Sequence, residues 1–337
     1  MCPLFCPPPL GRVLYPLLPT LLAPRALSVR LDIYNTYSTP HRLVIKGRAL
    51  ERKSTDVPLT IADSWWTNLK RTWHALESDE IADLDLLITC EGIETAVTTD
   101  NEGLFRIEIK PEFPLAPGCY PVFVRLRPPS FHQSSPAEGH VFVHPVNEIS
   151  WGVVSDIDDT ILETHVTHKK NMLKKLLFDN GLTARPIPGM AAVYQSLAQQ
   201  GFGFHYLSGS PINLHQRLRA FLKHQAFPEG SMDLRHWGLG PDTDAILSSS
   251  TYKLQRLQKL FQCFPHRQFL LIGDSGEKDS EIYTTLQQAF PRQVLGIAIH
   301  WVGTVTPPKQ EDIFYFQKAT ELAAFIKTLN IPQKHLA

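Results

Sequence analysis

Trp151-Gly152-Val153-Val154-Ser155-Asp156-Ile157-Asp158-Asp159-Thr160-Ile161 is the stretch on which the fold turns. A short apolar run ends abruptly in three carboxylates. Runs of this length, bounded by polar residues, read as a strand buried on both faces. Acids carried to the exit of such a strand are costly unless a cation compensates them. A bound metal ion does this, and phosphate is its usual companion. The plainer alternative is that Asp158 or Asp159 caps a following helix. A cap needs one acid, and here there are three.

Downstream of this stretch, strand and helix patterns alternate. Met190 to Gln199 is helical and closes at Gly201, and Gly203 to Leu207 is a second strand. Leu214 to His224 and Tyr252 to Cys263 are helical, the latter with Leu254, Leu257, Leu260 and Phe261 on one face. Gln268 to Ile272 is a strand, Asp279 to Ala289 a helix, and Val294 to His300 a last strand. Such alternation predicts an α/β unit with a parallel sheet, whose ligands gather beyond the carboxyl ends of the strands. Three further polar groups fall at those ends. Ser208-Gly209-Ser210 follows the second strand and offers hydroxyls and backbone N–H groups. Lys253 lies near the start of a helix. Gly273-Asp274 and Asp279 flank a turn after an apolar strand.

Upstream, the pattern is that of a β domain. Arg42 to Leu50, Leu84 to Cys90, Gly92 to Thr99, Leu104 to Ile109, Tyr120 to Leu126 and His140 to His144 read as short strands, with a turn at Asp100 to Gly103. Their spacing predicts an antiparallel sandwich. Thr98 to Phe105 resembles the hairpin signature of carboxypeptidase-regulatory-like sandwich domains. Ile61 to Leu76, with Trp65, Trp66 and Trp73, is expected to be helical and to use its aromatics as core. The boundaries expected are a poorly structured leader over 1–26, a β-sandwich-like domain over 27–147, and a catalytic domain over 148–337 with a small cap within 161–200.

Composition narrows the function. The chain has 337 residues, with Lys plus Arg 33 and Asp plus Glu 33, so its formal net charge is zero. A nucleic-acid binder would carry a basic excess, and no nucleic-acid partner is expected. The hydrophobic share of 43% is that of a globular protein. Cys2, Cys6, Cys90, Cys119 and Cys263 show no metal-site spacing, which fits free thiols in a cytoplasmic protein. Leu14 to Ala23 is apolar but interrupted by Pro16 and Pro19. It is read as part of the leader, with export left open.

The order of acid pair, serine, lysine and second acid pair resembles the haloacid dehalogenase (HAD) superfamily of phosphotransferases. Ser155 to Ile161, Tyr206 to Pro211 and Ile272 to Tyr283 resemble more closely the catalytic domain of the actin-patch-protein type of phosphatidate phosphatase. The resemblance covers about residues 149–302 and extends loosely to Tyr37 to Pro40 and Gly47 to Leu50. It implies a HAD-like Rossmannoid parallel sheet with a small cap, and Mg²⁺ as cofactor. Asp156 would be the nucleophile that forms an aspartyl phosphate, and Asp158 the general acid and base. Asp156, Asp274 and the backbone carbonyl of Asp158 would hold the metal, with Asp279 bound through water or orienting the ligands. Ser208 and Lys253 would bind the phosphoryl oxygens, helped by Gly209, Ser210 and Thr160, the last fixing the turn after the strand. His300 stands where an arginine is expected in relatives, which leaves its role open.

The function so implied is Mg²⁺-dependent hydrolysis of phosphatidate to diacylglycerol and phosphate. The alternatives are a phosphatase of soluble phosphomonoesters on the same chassis and a non-catalytic adaptor. His165 to Phe178 carries Lys169, Lys170, Lys174 and Lys175 beside five apolar residues. It reads either as a basic amphipathic lid that makes peripheral contact with an anionic membrane or as a cap helix packed on its own domain.

Overall fold

The computed structural model describes residues 26–53, 80–163, 184–236, 244, 247–303, 306–329 and 331. The expected leader, the Trp-rich helix at 61–76 and the basic segment at 165–178 lie outside these residues, the leader save for its last position.

The N-terminal part is built of strands. They are β1 (Ser28–Tyr34), β2 (Thr36–Ser38), β3 (Leu43–Glu51), β4 (Asp85–Cys90), β5 (Ile93–Thr98), β6 (Leu104–Ile109), β7 (Gly118–Leu126), β8 (Gln133–Ser134) and β9 (Ala137–Val143). Two sheets result, one ordered β6-β3-β1-β8 and the other β2-β9-β7-β4-β5. Most pairings are antiparallel; β1 with β8 and β2 with β9 are parallel. In β4, Leu86, Ile88 and Cys90 are buried while the residues between them are not. This is the period of a strand with one face in a core. That core is shared: Leu31, Ile33 and Ile45 of one sheet cluster with Leu86, Val122 and Val141 of the other. The expected turn after β5 is held by Asp100, whose Oδ1 accepts the N–H groups of Glu102 and Leu104 at 2.9 and 2.8 Å.

The C-terminal part is layered. Its elements are β10 (Ser150–Ser155), α1 (Met190–Gln199), β11 (Gly203–Pro211), α2 (His215–His224), β12 (Gly230–Arg235), α3 (Ser249–Cys263), β13 (Arg267–Asp274), α4 (Asp279–Ala289), β14 (Val294–His300), β15 (Ile313–Phe316) and α5 (Ala319–Thr328). The strands form one six-stranded parallel sheet ordered β12-β11-β10-β13-β14-β15. Val153, Leu270 and Ile272 face α1, α2 and α5 in one apolar cluster. Val154, Phe269 and Leu271 face α3 and α4 in another. Successive side chains leave a strand on opposite faces, so both layers draw on the same strands. This explains why β10 is buried from end to end.

The chain runs outward from β10 through β11 to β12, then crosses back to place β13 on the other side of β10. Such a reversal opens a crevice at the carboxyl ends of the two strands. The structure adds strands β1, β2, β8, β12 and β15 and helix α5 to those read from the sequence. Helix α3 also starts three residues earlier than its apolar face suggests. Ser248 caps it, accepting the Thr251 N–H at 3.1 Å.

Candidate active site

The crevice between β10 and β13 gathers the acids. Asp156 leaves the end of β10, Asp274 is the last residue of β13, and Asp279 is the first residue of α4. Their carboxylate oxygens lie within 4.8 Å of one another, and all three side chains are buried. Gly273 makes this possible. A side chain there would place its Cβ 2.5 Å from Asp279 Oδ2. The turn after β13 is wound on Asp274, whose Oδ1 accepts the N–H groups of Gly276 and Glu277 at 2.6 and 3.1 Å. Asp279 Oδ2 accepts the Asp274 N–H at 3.3 Å and ties the start of α4 to the strand end.

Lys253 reaches this cluster from the first turns of α3. Its Nζ is 2.7 Å from Asp156 Oδ1, 2.7 Å from Asp279 Oδ1 and 3.0 Å from Glu277 Oε2. Burial alone would push this ammonium down. The surrounding carboxylates outweigh burial and hold Lys253 well above the ordinary lysine value. Burial pushes Asp156, Asp274 and Asp279 up, and Lys253 only partly opposes it. Among the described residues, Lys253 is the ammonium that these acids meet, and Asp274 Oδ2 is buried with no hydrogen-bond partner. Hard oxygen donors, converging, buried and short of positive charge, fit a divalent cation such as Mg²⁺.

Asp158 faces the other wall. Its Oδ2 accepts the hydroxyls of Ser208 at 2.9 Å and Ser210 at 3.1 Å, while its Oδ1 is buried without a partner. Burial raises Asp158 to about 6, against the opposing pull of the two serine hydroxyls. Those serines are available because the ladder between β11 and β12 breaks between Ser208 and Pro211, releasing Gly209 and Ser210 from regular pairing. Ser210 N–H donates back to Ser208 Oγ at 2.9 Å. Thr160 Oγ1 donates to Asp156 Oδ2 at 3.3 Å.

Every site residue read from the sequence therefore lies along this crevice: Asp156, Thr160, Lys253, Asp274 and Asp279 around the acid cluster, and Asp158, Ser208 and Gly209 on the adjoining wall. Glu277, Tyr194 and His300 complete the arrangement without having been assigned a role by the motifs. Tyr194, buried in α1, shares a 2.8 Å hydrogen bond with Ser155 Oγ, which donates to the Asp156 carbonyl at 2.6 Å. Ser155 has one proton, so Tyr194 is the donor in that pair. His300 at the end of β14 meets the Asp159 carbonyl at 2.6 Å, and Asp159 has a positive φ of 54°. The His300 carbonyl in turn accepts the Ser275 N–H at 3.0 Å. One residue thereby pins both the loop after β10 and the loop after β13. The last position of an apolar strand gave no sign of this in the sequence.

Residues 151–301 match the family described as the catalytic domain of phosphatidate phosphatase APP1. Phosphatidate phosphatase APP1 of Saccharomyces cerevisiae is 34% identical over 173 residues, which are 49% of this chain and 29% of that protein. An uncharacterised protein of Schizosaccharomyces pombe is 29% identical over 148 residues, 44% of this chain and 24% of that protein. The chain thus spans less than a third of the length of these curated relatives. Among solved structures, a class C acid phosphatase from Bacillus anthracis with tungstate bound aligns over 55% of this chain and 81% of its own. Its identity is 14% and its TM-score 0.28. Residues 151–301, which hold all of the side chains just described, are thus similar as a segment to the catalytic domain of the APP1-type phosphatidate phosphatases.

Proposed function

We propose that this protein is a Mg²⁺-dependent phosphatase that hydrolyses phosphatidate to diacylglycerol and phosphate. The observation that carries the reading is the buried trio Asp156, Asp274 and Asp279 around Lys253, set at the switch point of a parallel sheet within the matched segment. The six-stranded sheet with acids at its strand ends supports a HAD-like fold. The two N-terminal sheets with their shared core support a β-sandwich.

The residues divide the chemistry between them. Asp156 is the nucleophile, its carboxylate attacking phosphorus in line and forming an aspartyl phosphate. Asp156, Asp274 and the carbonyl of Asp158 would hold Mg²⁺, with Asp279 supporting them. Once bound, the ion would supply the positive charge that lets a carboxylate approach a phosphate dianion. Asp158 gives a proton to the leaving alkoxide and later takes one from the attacking water. Its Oδ1 is the oxygen free to carry that proton, since both serines donate to Oδ2. With Asp158 raised to about 6, the acid form lies within reach of neutral pH. Lys253 offsets charge on the phosphoryl oxygens, and the Ser208 to Ser210 bulge lines the wall they meet.

The test is phosphate release from phosphatidate in mixed micelles beside a panel of soluble phosphomonoesters, with Mg²⁺ and with excess chelator. Mg²⁺-dependent release that favours phosphatidate is expected. Full activity in chelator would defeat the metal assignment. Preference for a soluble ester would replace the lipid substrate with a soluble one.

A further inference from the structure

Ser249 belongs to none of the motifs, yet its hydroxyl is placed against the site. It is the first residue of α3, and its Oγ is buried without a hydrogen-bond partner. A buried hydroxyl left in that state is unfavourable unless something later takes the bond. The group it lies against is Gly209: a Cβ built on that glycine would sit 2.6 Å from Ser249 Oγ. Gly209 lies in the β11 bulge, between the two serines that donate to Asp158. Lys253 follows Ser249 by one helical turn, so both project from the same face of α3.

The hydroxyls of this wall are not equivalent. Ser208 and Ser210 are committed to Asp158 Oδ2. The Ser248 hydroxyl accepts the Thr251 N–H and meets the Thr251 hydroxyl at 2.8 Å. Among the described residues, Ser249 brings to this wall a buried hydroxyl with no partner. Asp158 Oδ1, the other orphaned oxygen of the wall, is an acceptor or carries the proton of the acid form. A hydroxyl can donate or accept, and an anionic ligand group that reaches the Gly209 side of the crevice would take the Ser249 proton as an acceptor.

We propose that Ser249 is a substrate-binding residue whose hydroxyl donates to a non-bridging oxygen of the substrate's phosphoryl group. This rests on the phosphatase reading above and adds to it a contact outside the four motif sites. It also explains why position 209 carries no side chain: a methyl group there would occupy the space of the donor.

The test uses the full chain with Mg²⁺ and compares Ser249→Ala with wild type in three measurements. Calorimetric titration with inorganic phosphate reads the phosphoryl contact. KM for phosphatidate in mixed micelles reads the same contact in the substrate. Thermal unfolding separates a binding role from a structural one. Loss of one hydrogen bond to a charged acceptor should weaken phosphate binding about tenfold or more. KM should rise in parallel, and the unfolding midpoint should hold or rise because an unsatisfied hydroxyl has gone. Ser249→Thr should restore phosphate binding. Unchanged phosphate affinity overturns the proposal, and so does a rise in KM for phosphatidate without one for phosphate, which would place the contact elsewhere on the substrate. A lowered midpoint that accounts for the loss also overturns it. If the wild type releases no phosphate from any ester, the activity reading fails, and the titration still decides Ser249.

Discussion

Asp156 is held from more than one direction. Lys253 takes one carboxylate oxygen at 2.7 Å, and Thr160 donates to the other at 3.3 Å. Its carbonyl is held by Ser155, which is held by Tyr194. Under the proposed mechanism, a nucleophile so fixed would spend little of the barrier on orientation. Asp156→Asn keeps the shape and removes one of four crowded negative charges. Turnover should fall by about a thousandfold or more, as for other lost nucleophiles. The unfolding midpoint should not fall much, because burial already disfavours the charged carboxylate. Phosphate release and a thermal melt of the same preparation check both halves. Retained turnover would remove Asp156 from the chemistry.

At the scale of elements, the site depends on how closely α4 approaches β13. Gly273 is the gap through which Asp279 reaches the backbone of the strand. Gly273→Ala would put a methyl group 2.5 Å from Asp279 Oδ2, and either the carboxylate or the helix start must move. Loss of a group that orients metal ligands typically costs about 10–100-fold. The Mg²⁺ concentration for half-maximal activity should rise within that range, with a smaller change in activity at saturating Mg²⁺. An unchanged Mg²⁺ requirement would mean that Asp279 does not support the metal set. The acids at these strand ends were legible in the sequence because a buried strand that ends in carboxylates breaks the ordinary rule of apolar interiors. Other parts were not legible, for definite reasons. Strand β12, Gly-Ser-Met-Asp-Leu-Arg, shows no strong apolar run, and its place comes from pairing with β11. The apolar face of α3 reads from Tyr252 onward, so its serine start, with the cap and Ser249, lies outside that reading. Tyr194 lies in a span that reads only as helical, and it is buried in the core of the sheet's α1 side.

At the scale of the molecule, the two parts meet along a seam of buried polar contacts. Asn35 N–H donates to His215 Nε2 at 3.2 Å, Met232 N–H donates to the Asn35 carbonyl at 3.0 Å, and the Asn35 amide donates to the Gly230 carbonyl at 3.3 Å. As an acceptor, His215 must be neutral, and burial lowers it to about 3. Burial likewise holds His144 and His205 well below the ordinary histidine value. A histidine depressed in the folded state contributes its full stability above its unfolded value near 6.5. That contribution is lost as the pH falls from there towards the folded value, because only the unfolded chain binds the proton. For His215 alone the loss between pH 8 and pH 5 is about 2 kcal/mol, from roughly 1.4 kcal/mol per pH unit below 6.5. The active-site carboxylates shift the other way with pH, so total stability does not isolate this contribution. The difference between wild type and His215→Gln does, since the distant groups cancel. The variant should be less stable at pH 8, where the wild type keeps the Asn35 bond. By pH 5 that gap should have shrunk or reversed by about 2 kcal/mol. Urea unfolding of both proteins at the two pH values measures this. A gap that stays constant would mean that His215 takes up protons alike in folded and unfolded chains, and the seam would then owe nothing to its neutrality.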